Sequence, residues 1–472
     1  MEAAFTTGNK ELDRLIGPIH SKYMLLIVGH PGAGKTTLAS SICYENAQRG
    51  YKCLYISFYE DKDKFYRNMD KLGIDLADIE SRGLLTHVKL PVVKSAEVLG
   101  IVNELIVKDS YKVVVLDSIN PVLELYRKRE QRAILLNFFY NLIDAIDGLL
   151  VAISEISWGK ETLNLGSIDF VADAIIYLKH RITRGLLVRV LELRKIRGSQ
   201  LSTAEIPFDI VEKRGIIVYA PRRLERPRSE AVKALKTCML LEDAIGAIYK
   251  GDIISVNYPP NARPSLVLLP LINFAVINDI KLLGISYRYS LEDTKAAVEA
   301  ALIKYYGLSL TEANWIINNY MRLESINPAT ISIPQIVSFE MRLVEKERPG
   351  IVVFHAREIP WRLTRNTDED GYWTSLVNQL TWLENHGITT AWMYSRVDQQ
   401  FVKMSEALAD ISIRAYYKPG DKGLRQLWYT WRRGQEPRIV DFASPVTQEK
   451  IQECSKMLKS LVHEKLAGGS SN

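Results

Sequence analysis

The stretch IVGHPGAGKTTL, residues 27–38, constrains the fold more than any other part of the chain. Residues 29–36 match the pattern GxxxxGK[ST], which has its meaning only between a buried strand and a helix. The apolar run YMLLIVG leads into the loop, and the helical sequence LASSICYENAQRG follows it. The sequence therefore predicts a strand–loop–helix unit of an α/β fold.

Other short apolar runs extend this prediction to residues 1–220. KCLYISF, KVVVLDS and GLLVAISE are nearly continuous in apolar residues. Strands that are buried on both faces of a parallel sheet have this composition. A helical sequence, REQRAILLNFFYNLIDAI, separates the last two runs. We therefore expect a mostly parallel central sheet with helical crossover connections.

The residue types in the loop predict phosphate binding. Its glycines allow successive backbone N–H groups to point at phosphate oxygens, next to the positive end of the following helix. A lysine at this position contacts the β- and γ-phosphates, and a threonine hydroxyl ligates Mg²⁺. The predicted cofactors are ATP and Mg²⁺. The predicted nucleotide-binding residues are Gly29, His30, Pro31, Gly32, Ala33, Gly34, Lys35, Thr36 and Thr37, with Thr36 also a metal ligand.

Acidic residues end three of the predicted strands. Asp117 ends KVVVLDS, where it is placed to hold the Mg²⁺ shell. Glu60 and Asp61 end CLYISFYED, where a carboxylate can act as general base towards water. Because DKDK continues that stretch, a solvated charge is the alternative. Glu155 ends GLLVAISE and is either a nucleotide sensor or an ordinary strand end.

Six stretches in this order resemble one family: FTTGNKELDRLIG, GHPGAGKTTLA, YISFYED, MDKLGIDL, VVVLDS and LELRKIRGSQ. They are similar to the RecA-superfamily ATPases, above all to the circadian-clock ATPase KaiC and its archaeal relatives. The resemblance covers about residues 5–220 and implies a RecA-like core that hydrolyses ATP. It implies that Glu60 activates water with Asp61 beside it. The family usually has two adjacent glutamates there, and this chain has Glu followed by Asp.

The resemblance also assigns a role to Lys195 and Arg197. In KaiC-like rings, a lysine and an arginine at this point reach the nucleotide of the neighbouring subunit. Alternation along a strand places both residues on one face. The resemblance thus implies a homo-oligomer, a hexameric ring, with a catalytic site that two subunits share. The alternative is a basic strand edge that prevents aggregation.

The second half of the chain repeats the first without its chemistry. SVNYPPNARPSL, residues 255–266, has the spacing of the phosphate loop, but Asn257, Pro260 and Ala262 replace its glycines. Further matches predict a second, degenerate RecA-like domain with a mostly parallel sheet and no nucleotide. They align Lys35 with Arg263, Thr36 with Pro264, Glu60 with Tyr289, Asp117 with His355, Glu155 with Arg396 and Arg197 with Arg433.

The predicted organisation is an ATPase domain at 1–220, a basic proline-containing linker at 221–237, a degenerate domain at 238–443, and a C-terminal helix with a disordered tail at 444–472. The four cysteines lack metal-ligand spacing and imply no disulfide framework. No apolar stretch approaches the ~20 residues that span a bilayer. We therefore expect a cytoplasmic protein without membrane contact.

Three functions are consistent with the sequence. The first is an oligomeric ATPase switch whose second domain supports the ring or recruits a protein partner. The second is a RadA-like DNA repair or recombination paralogue. The net charge of +6 permits nucleic-acid binding, but the segment SWGKETLNLG is short and not basic, and no DNA-binding module is recognised ahead of the first strand. The third is an ATP-binding scaffold with little turnover.

Overall fold

The computed structural model describes residues 5–91, 97–121, 129–156, 168–198, 205–220, 234–260, 265–420 and 423–468. The chain divides into two compact units, Met1–Ala220 and Pro221–Asn472. Each has a central sheet with helices on both faces.

The elements of the first unit alternate between helix and strand up to β6, after which strands follow one another. Its helices are α1 (Lys10–Ile16), α2 (Lys35–Gln48), α3 (Lys62–Asp70), α4 (Leu76–Ser81), α5 (Glu97–Lys108), α6 (Arg129–Ile146) and α7 (Ile168–Val171). Its strands are β1 (Tyr23–Gly29), β2 (Cys53–Ser57), β3 (Leu85–Lys89), β4 (Val113–Asp117), β5 (Leu149–Glu155), β6 (Ala174–Thr183), β7 (Leu186–Ile196), β8 (Glu205–Val211) and β9 (Gly215–Val218).

The second unit has the same succession. Its helices are α8 (Met239–Ile245), α9 (Ser265–Ile277), α10 (Leu291–Tyr306), α11 (Leu310–Tyr320), α12 (Ile333–Glu347), α13 (Glu358–Thr364), α14 (Glu369–Asn385), α15 (Gln399–Leu408) and α16 (Pro445–Gly468). Its strands are β10 (Ala234–Leu235), β11 (Ile248–Tyr249), β12 (Ile253–Tyr258), β13 (Leu282–Ser286), β14 (Met321–Ser325), β15 (Ile351–His355), β16 (Thr389–Ser395), β17 (Ile411–Gly420), β18 (Gly423–Arg432) and β19 (Arg438–Asp441).

Strand order confirms the predicted tandem repeat. In the described residues the first sheet runs β3-β2-β4-β5-β1-β6-β7-β8-β9, and the second runs β14-β13-β15-β16-β12-β17-β18-β19. In both, the strands up to β6 or β17 pair in parallel and the later ones antiparallel. The chain is therefore α/β, with two tandem RecA-like sheets.

Strand register confirms the predicted match of Asp117 with His355 and corrects two other matches. Ser57 pairs with Asp117 as Ser286 pairs with His355, so His355 takes the position of Asp117. Gly29, however, pairs with Glu155 as Tyr258 pairs with Ser395.

Ser395, not Arg396, therefore stands at the position of Glu155, and Tyr258, not Asn257, stands at that of Gly29. The predicted matches were wrong here by one residue. Two short apolar runs can be aligned about equally well in registers that differ by one residue. Only the fold shows which register is right, because it shows which face of the sheet each side chain occupies.

Alternate residues of β1 belong to different hydrophobic cores. Leu25 and Ile27 pack in one core, and Met24, Leu26 and Val28 pack in the other. All five are fully buried. Burial of a side chain of this size contributes about 1.5–3 kcal/mol, so these two cores hold β1 and the start of the phosphate loop in place.

The first strand of the second unit lies within the predicted linker, and the predicted C-terminal helix is present as α16. The expected linker ran to residue 237, but Ala234–Leu235 already pair with Ile248–Tyr249 as strands. A disulfide joins Cys238 to Cys454 of α16 across 216 residues, although the cysteine spacing implied none. The C-terminal helix is thus part of the second unit. Residues 221–233 and 469–472, which include the rest of the linker and the predicted tail, lie outside the described residues.

None of the described helices is both long and apolar enough to cross a membrane.

A buried ion pair lies in one core of the second unit. Arg357 and Glu340 have side chains that are 3% and 0% exposed, and their charged atoms lie 3.4 Å apart. Gln379 bridges them, accepting from Arg357 at 2.7 Å and donating to Glu340 at 2.6 Å. Tyr287 also donates to Glu340. Burial disfavours the charged guanidinium, but Glu340, Tyr287 and Tyr372 together raise the pKa of Arg357.

Arg357→Met is expected to lower the free energy of unfolding of the second unit by about 3–5 kcal/mol, because it leaves the buried Glu340 charge uncompensated. Denaturant unfolding followed by tryptophan fluorescence measures this, since Trp361, Trp373 and Trp392 lie in the same core. The matched control is Lys456→Met, which removes the exposed pair with Glu453 and should cost at most about 1 kcal/mol. Equal losses in the two variants would contradict the structural role of the buried pair.

Candidate nucleotide site of the first unit

Backbone geometry explains the glycines of the phosphate loop, residues 29–34. Gly32 and Gly34 have φ angles of 76° and 101°, in the left-handed region that side chains disfavour. A Cβ on Gly29 would lie 2.4 Å from the carbonyl oxygen of Leu178, so no side chain fits there. The loop thus has the curled backbone that the sequence predicts, and α2 begins directly behind it at Lys35.

Lys35 is held at the loop by two oxygens. Its side chain is 5% exposed, and its Nζ lies 2.9 Å from the carbonyl oxygen of His30 and 3.5 Å from Oε1 of Glu155. Burial lowers the pKa of Lys35, while Glu155 and Asp117 act in the opposite direction. A phosphate that entered the loop would offer this amine the charge partner that Glu155 provides here.

Asp117 lies at the centre of the part of the site that would bind Mg²⁺, which is called the metal side below. The hydroxyls of Thr36 and Tyr55 both donate to Oδ2 of Asp117, at 2.9 Å and 2.7 Å. Burial raises the pKa of Asp117, and these two hydrogen bonds oppose that shift.

A hydroxyl and a carboxylate at this distance fit Mg²⁺, which prefers hard oxygen ligands and keeps several waters. In the described part of the chain, no group of three or more His, Cys, Asp and Glu side chains could hold a metal ion by itself. Thr36 and Asp117 would therefore hold Mg²⁺ together with phosphate oxygens and water.

The two acids after β2 have different places. The N–H of Glu60 donates to the Ser57 hydroxyl at 3.2 Å, which fixes the turn that carries it. Burial raises the pKa of Glu60, and the nearby Asp117 charge raises it further. Asp61 instead caps α3, where its carboxylate accepts from the N–H of Asp63 at 3.2 Å. Glu60 thus lies close enough to Asp117 to be affected by its charge, whereas Asp61 caps a helix.

The end of β5 is fixed by a residue that the sequence did not suggest. The Asn120 side chain accepts from the N–H of Glu155 at 2.7 Å and donates to its carbonyl oxygen at 2.9 Å. This pair of bonds sets the position of Glu155 relative to Lys35. The segment SWGKETLNLG, which follows β5, lies outside the described residues.

Lys195 and Arg197 lie together, but away from the phosphate loop of their own chain. Lys195 donates to the carbonyl oxygen of Asp169 at 2.8 Å, and Arg197 donates to that of Phe170 at 3.0 Å. Arg197 also pairs with Asp173 at 2.8 Å. Lys195 pairs with Ile175 of β6, whereas the phosphate loop leaves the sheet beside Leu178, three residues further along that strand. The two cations thus lie at the opposite end of these strands from the phosphate loop.

In the second unit, side chains fill the equivalent of the metal side. His355 stands at the position of Asp117 and makes hydrogen bonds with Tyr258 at 3.2 Å and Ser286 at 3.1 Å. Burial, together with the Arg288 charge, lowers the pKa of His355 to about 4. The imidazole is therefore neutral near pH 7 and offers no charge to a metal ion.

The position next to the former loop is also occupied in the second unit. Arg396 donates to the Asn257 side chain at 2.8 Å and to the carbonyl oxygen of Ala415 at 2.7 Å. Asn257 in turn donates to Glu406 at 2.9 Å, and Glu406 accepts from Arg414 at 2.7 Å. The counterparts of the loop itself, Ala262, Arg263 and Pro264, lie outside the described residues.

Comparison with known proteins gives the family of the first unit. The family model described as "ATPase: KaiC" matches residues 5–223. The first unit is a KaiC-like P-loop ATPase domain. A UPF0273 protein of Pyrococcus furiosus is 28% identical over 240 residues, which cover 47% of this chain and 96% of that protein. The circadian clock protein KaiC3 of Synechocystis is 23% identical over 284 residues, which cover 57% of this chain and 56% of that protein.

The match to KaiC3 is longer than the first unit, so it includes part of the second repeat. The UPF0273 protein of Aeropyrum pernix is 25% identical over 224 residues, 44% of this chain and 89% of that protein. The KaiC-like resemblance that the sequence motifs indicated is confirmed, and with it membership of the RecA superfamily.

Sequence reasoning missed Tyr55, because it lies inside an apolar strand and looks like a core residue. The only available signal was its spacing, since Tyr55 and Ser57 share one face of β2 and Ser57 pairs with Asp117. The counterpart of Tyr55 in the second unit is Gly284, by the same register. The second unit thus lacks both the tyrosine hydroxyl and the carboxylate that accepts its hydrogen bond in the first unit.

Tyr55→Phe is expected to raise the Mg²⁺ concentration for half-maximal Mg-nucleotide binding about tenfold, because it frees Asp117 from one of its orienting hydrogen bonds. Titration of Mg²⁺ against a fluorescent nucleotide analogue measures this. Nucleotide binding without Mg²⁺ should change little. The matched control is Tyr111→Phe, which removes a tyrosine hydrogen bond to Thr86 away from the site. An unchanged Mg²⁺ requirement in Tyr55→Phe would remove Tyr55 from the site.

Proposed function

We propose that this protein is an ATP-hydrolysing oligomeric switch, a ring of six subunits whose active sites are in the first unit. Membership of the KaiC-like family supports ATP binding and self-association. The Thr36–Asp117 contact and the buried Lys35 support binding of Mg-ATP. The main support for a shared active site is the position of Lys195 and Arg197 at the end of the strands opposite the phosphate loop.

The distance along β6 supports action of the two cations on a neighbouring subunit. Residue 174 lies beside residue 25, and residue 178 lies beside residue 29. Lys195 pairs with residue 175, which is three residues of strand, about 10 Å, from residue 178. Because the two cations lie at the far end of this length, they do not reach the phosphates bound by their own loop. They are instead placed to act on the nucleotide of a neighbouring subunit.

In this mechanism the loop N–H groups and Lys35 bind the β- and γ-phosphates, and Thr36 and Asp117 hold Mg²⁺. Mg²⁺, when bound, neutralises charge on the phosphate oxygens. Glu60 orients water and accepts its proton, for which its raised pKa is favourable. Lys195 and Arg197 of the neighbouring subunit stabilise the charge that develops on the transferred phosphoryl group.

The second unit binds no nucleotide in this proposal. Its strands keep the architecture, while His355, Tyr258 and Arg396 fill the place of the metal and the loop. A unit without chemistry is free to serve assembly or to contact a protein partner. ATP state in the first unit would then control what the second unit presents.

Mixed oligomers test the shared site. Lys35→Ala subunits lack a working loop, and Arg197→Ala subunits lack the cation that acts on the neighbour, so each variant alone should be inactive. A 1:1 mixture should recover about one quarter of the wild-type phosphate release, because one interface in four combines a working loop with a working Arg197 in a heterologous ring.

The matched control mixes Lys35→Ala with Glu60→Gln. Both defects lie on the loop side of the site, so this mixture should recover no activity. Absence of recovery with Arg197→Ala, or equal recovery in both mixtures, would contradict the shared site. Absence of phosphate release by the wild-type protein, despite nucleotide binding, would favour the scaffold function.

A further inference from the structure

One face of the antiparallel ribbon has opposite chemistry in the two units. The ribbon consists of β6–β8 in the first unit and β17–β19 in the second, and the two registers match except for a bulge at Arg194 in the first. Glu192 pairs with Tyr177 and Glu205, as Tyr429 pairs with Arg414 and Ile439. The matching positions are therefore known residue by residue.

In the first unit this face is a network of charges. Lys179 forms ion pairs with Glu192 and with Glu205, the latter at 3.3 Å. Arg194 pairs with Glu192 at 2.9 Å. Each carboxylate therefore has a cation, and the face is suited to contact with water.

In the second unit the same positions are apolar or aromatic. Tyr429 replaces Glu192, Ile439 replaces Glu205 and Trp431 replaces Lys195. Tyr429, Trp431 and Ile439 are called the aromatic face below. The Tyr429 and Trp431 rings lie 5.4 Å apart, and the Ile439 side chain is 71% exposed. Tyr429 and Trp431 are half-buried, and the Arg414 guanidinium packs on the Trp431 ring at 4.8 Å.

A second surface has changed in the same direction. The turn after β2 carries Glu60 and leads to Lys62, and its counterpart after β13 carries Tyr289 and Leu291. The turns are alike, since the N–H of Tyr289 donates to the Ser286 hydroxyl at 3.1 Å, as Glu60 does to Ser57. Tyr289 and Leu291, called the apolar edge below, are each 41% exposed.

We propose that the apolar edge of one subunit packs on the aromatic face of the second unit of the neighbouring subunit. The inference rests on the proposed function, in which Glu60 of one subunit faces Lys195 of the next across a nucleotide. The equivalent residues of the second unit are Tyr289 and Trp431. Both sides of this pair have changed from charged to aromatic, as expected where direct contact replaces a bridging nucleotide. The occupant of the face is thus a second copy of this chain.

This contact does not depend on nucleotide. Aromatic residues in a desolvated contact provide a large share of interface stability. The second units therefore hold the oligomer together when the first units are empty, so that nucleotide changes the active sites without dissolving the assembly.

Sedimentation velocity of the full-length protein, without nucleotide and with EDTA, tests the contact. The wild type should sediment as an oligomer. The double variant Tyr429→Glu/Ile439→Glu places in the second unit the glutamates that the first unit has at these two positions. The ribbon of the first unit accommodates both glutamates. This double variant should raise the dissociation constant by about tenfold or more. Addition of Tyr289→Lys should restore assembly by pairing opposite charges across the contact. Circular dichroism confirms that each variant is folded.

The matched control is Leu424→Glu on the same ribbon, where an exposed leucine lies about 17 Å along the strand from Tyr429. It should leave the dissociation constant within about twofold of the wild type, as expected for an exposed position outside the contact. A double variant that assembles like the wild type, or a lack of rescue by Tyr289→Lys, would overturn the inference.

Different results would overturn the proposed contact and the proposed function. A wild type that assembles only with an ATP analogue would overturn the nucleotide-independent contact and leave the shared site standing. A wild type that stays monomeric under both conditions would overturn both. Loss of recovery in the mixed oligomers, with the aromatic face still needed for assembly, would overturn the shared site alone.

Discussion

The hydrogen bonds around one buried carboxylate govern the difference between the two units. Asp117 ends β4 and is held by Thr36 and Tyr55. Burial of a carboxylate is costly unless partners or a cation compensate for it, so the site is prepared for a metal ion. In the second unit a neutral His355 makes its own hydrogen bonds at the same strand end and needs no cation. The two units therefore share their strand order but differ in the charge of the residue that ends β4 or β15.

The other changes in the second unit follow from the loss of that charge. Without a metal, a tyrosine at the position of Tyr55 has no carboxylate to hold, and Gly284 stands there. At the position of Gly29, the second unit has Tyr258, whose hydroxyl makes a hydrogen bond with His355. The face that carries Lys195 in the first unit is then free to become aromatic. In the proposed function, chemistry and assembly thus separate onto two copies of one architecture.

The sequence predicted the parts of the fold and site that depend on local pattern. The phosphate loop, Asp117 and the replacement of Asp117 by His355 were found because each ends an apolar strand with a distinctive residue. The position of Ser395 was missed because neighbouring residues of similar strands differ only in the face they take. The Cys238–Cys454 disulfide and the buried Arg357–Glu340 pair were missed because they depend on contacts between segments that the fold alone brings together.

The most direct test is the number of nucleotides that one chain binds. The protein is saturated with a non-hydrolysable ATP analogue and Mg²⁺, freed of excess ligand and denatured, and the released nucleotide is counted per chain. The account predicts a value near one for the wild type and near zero for Lys35→Ala, because the intact phosphate loop lies in the first unit. A value near two, or a value near one that survives Lys35→Ala, would show that the second unit binds nucleotide and would contradict the account.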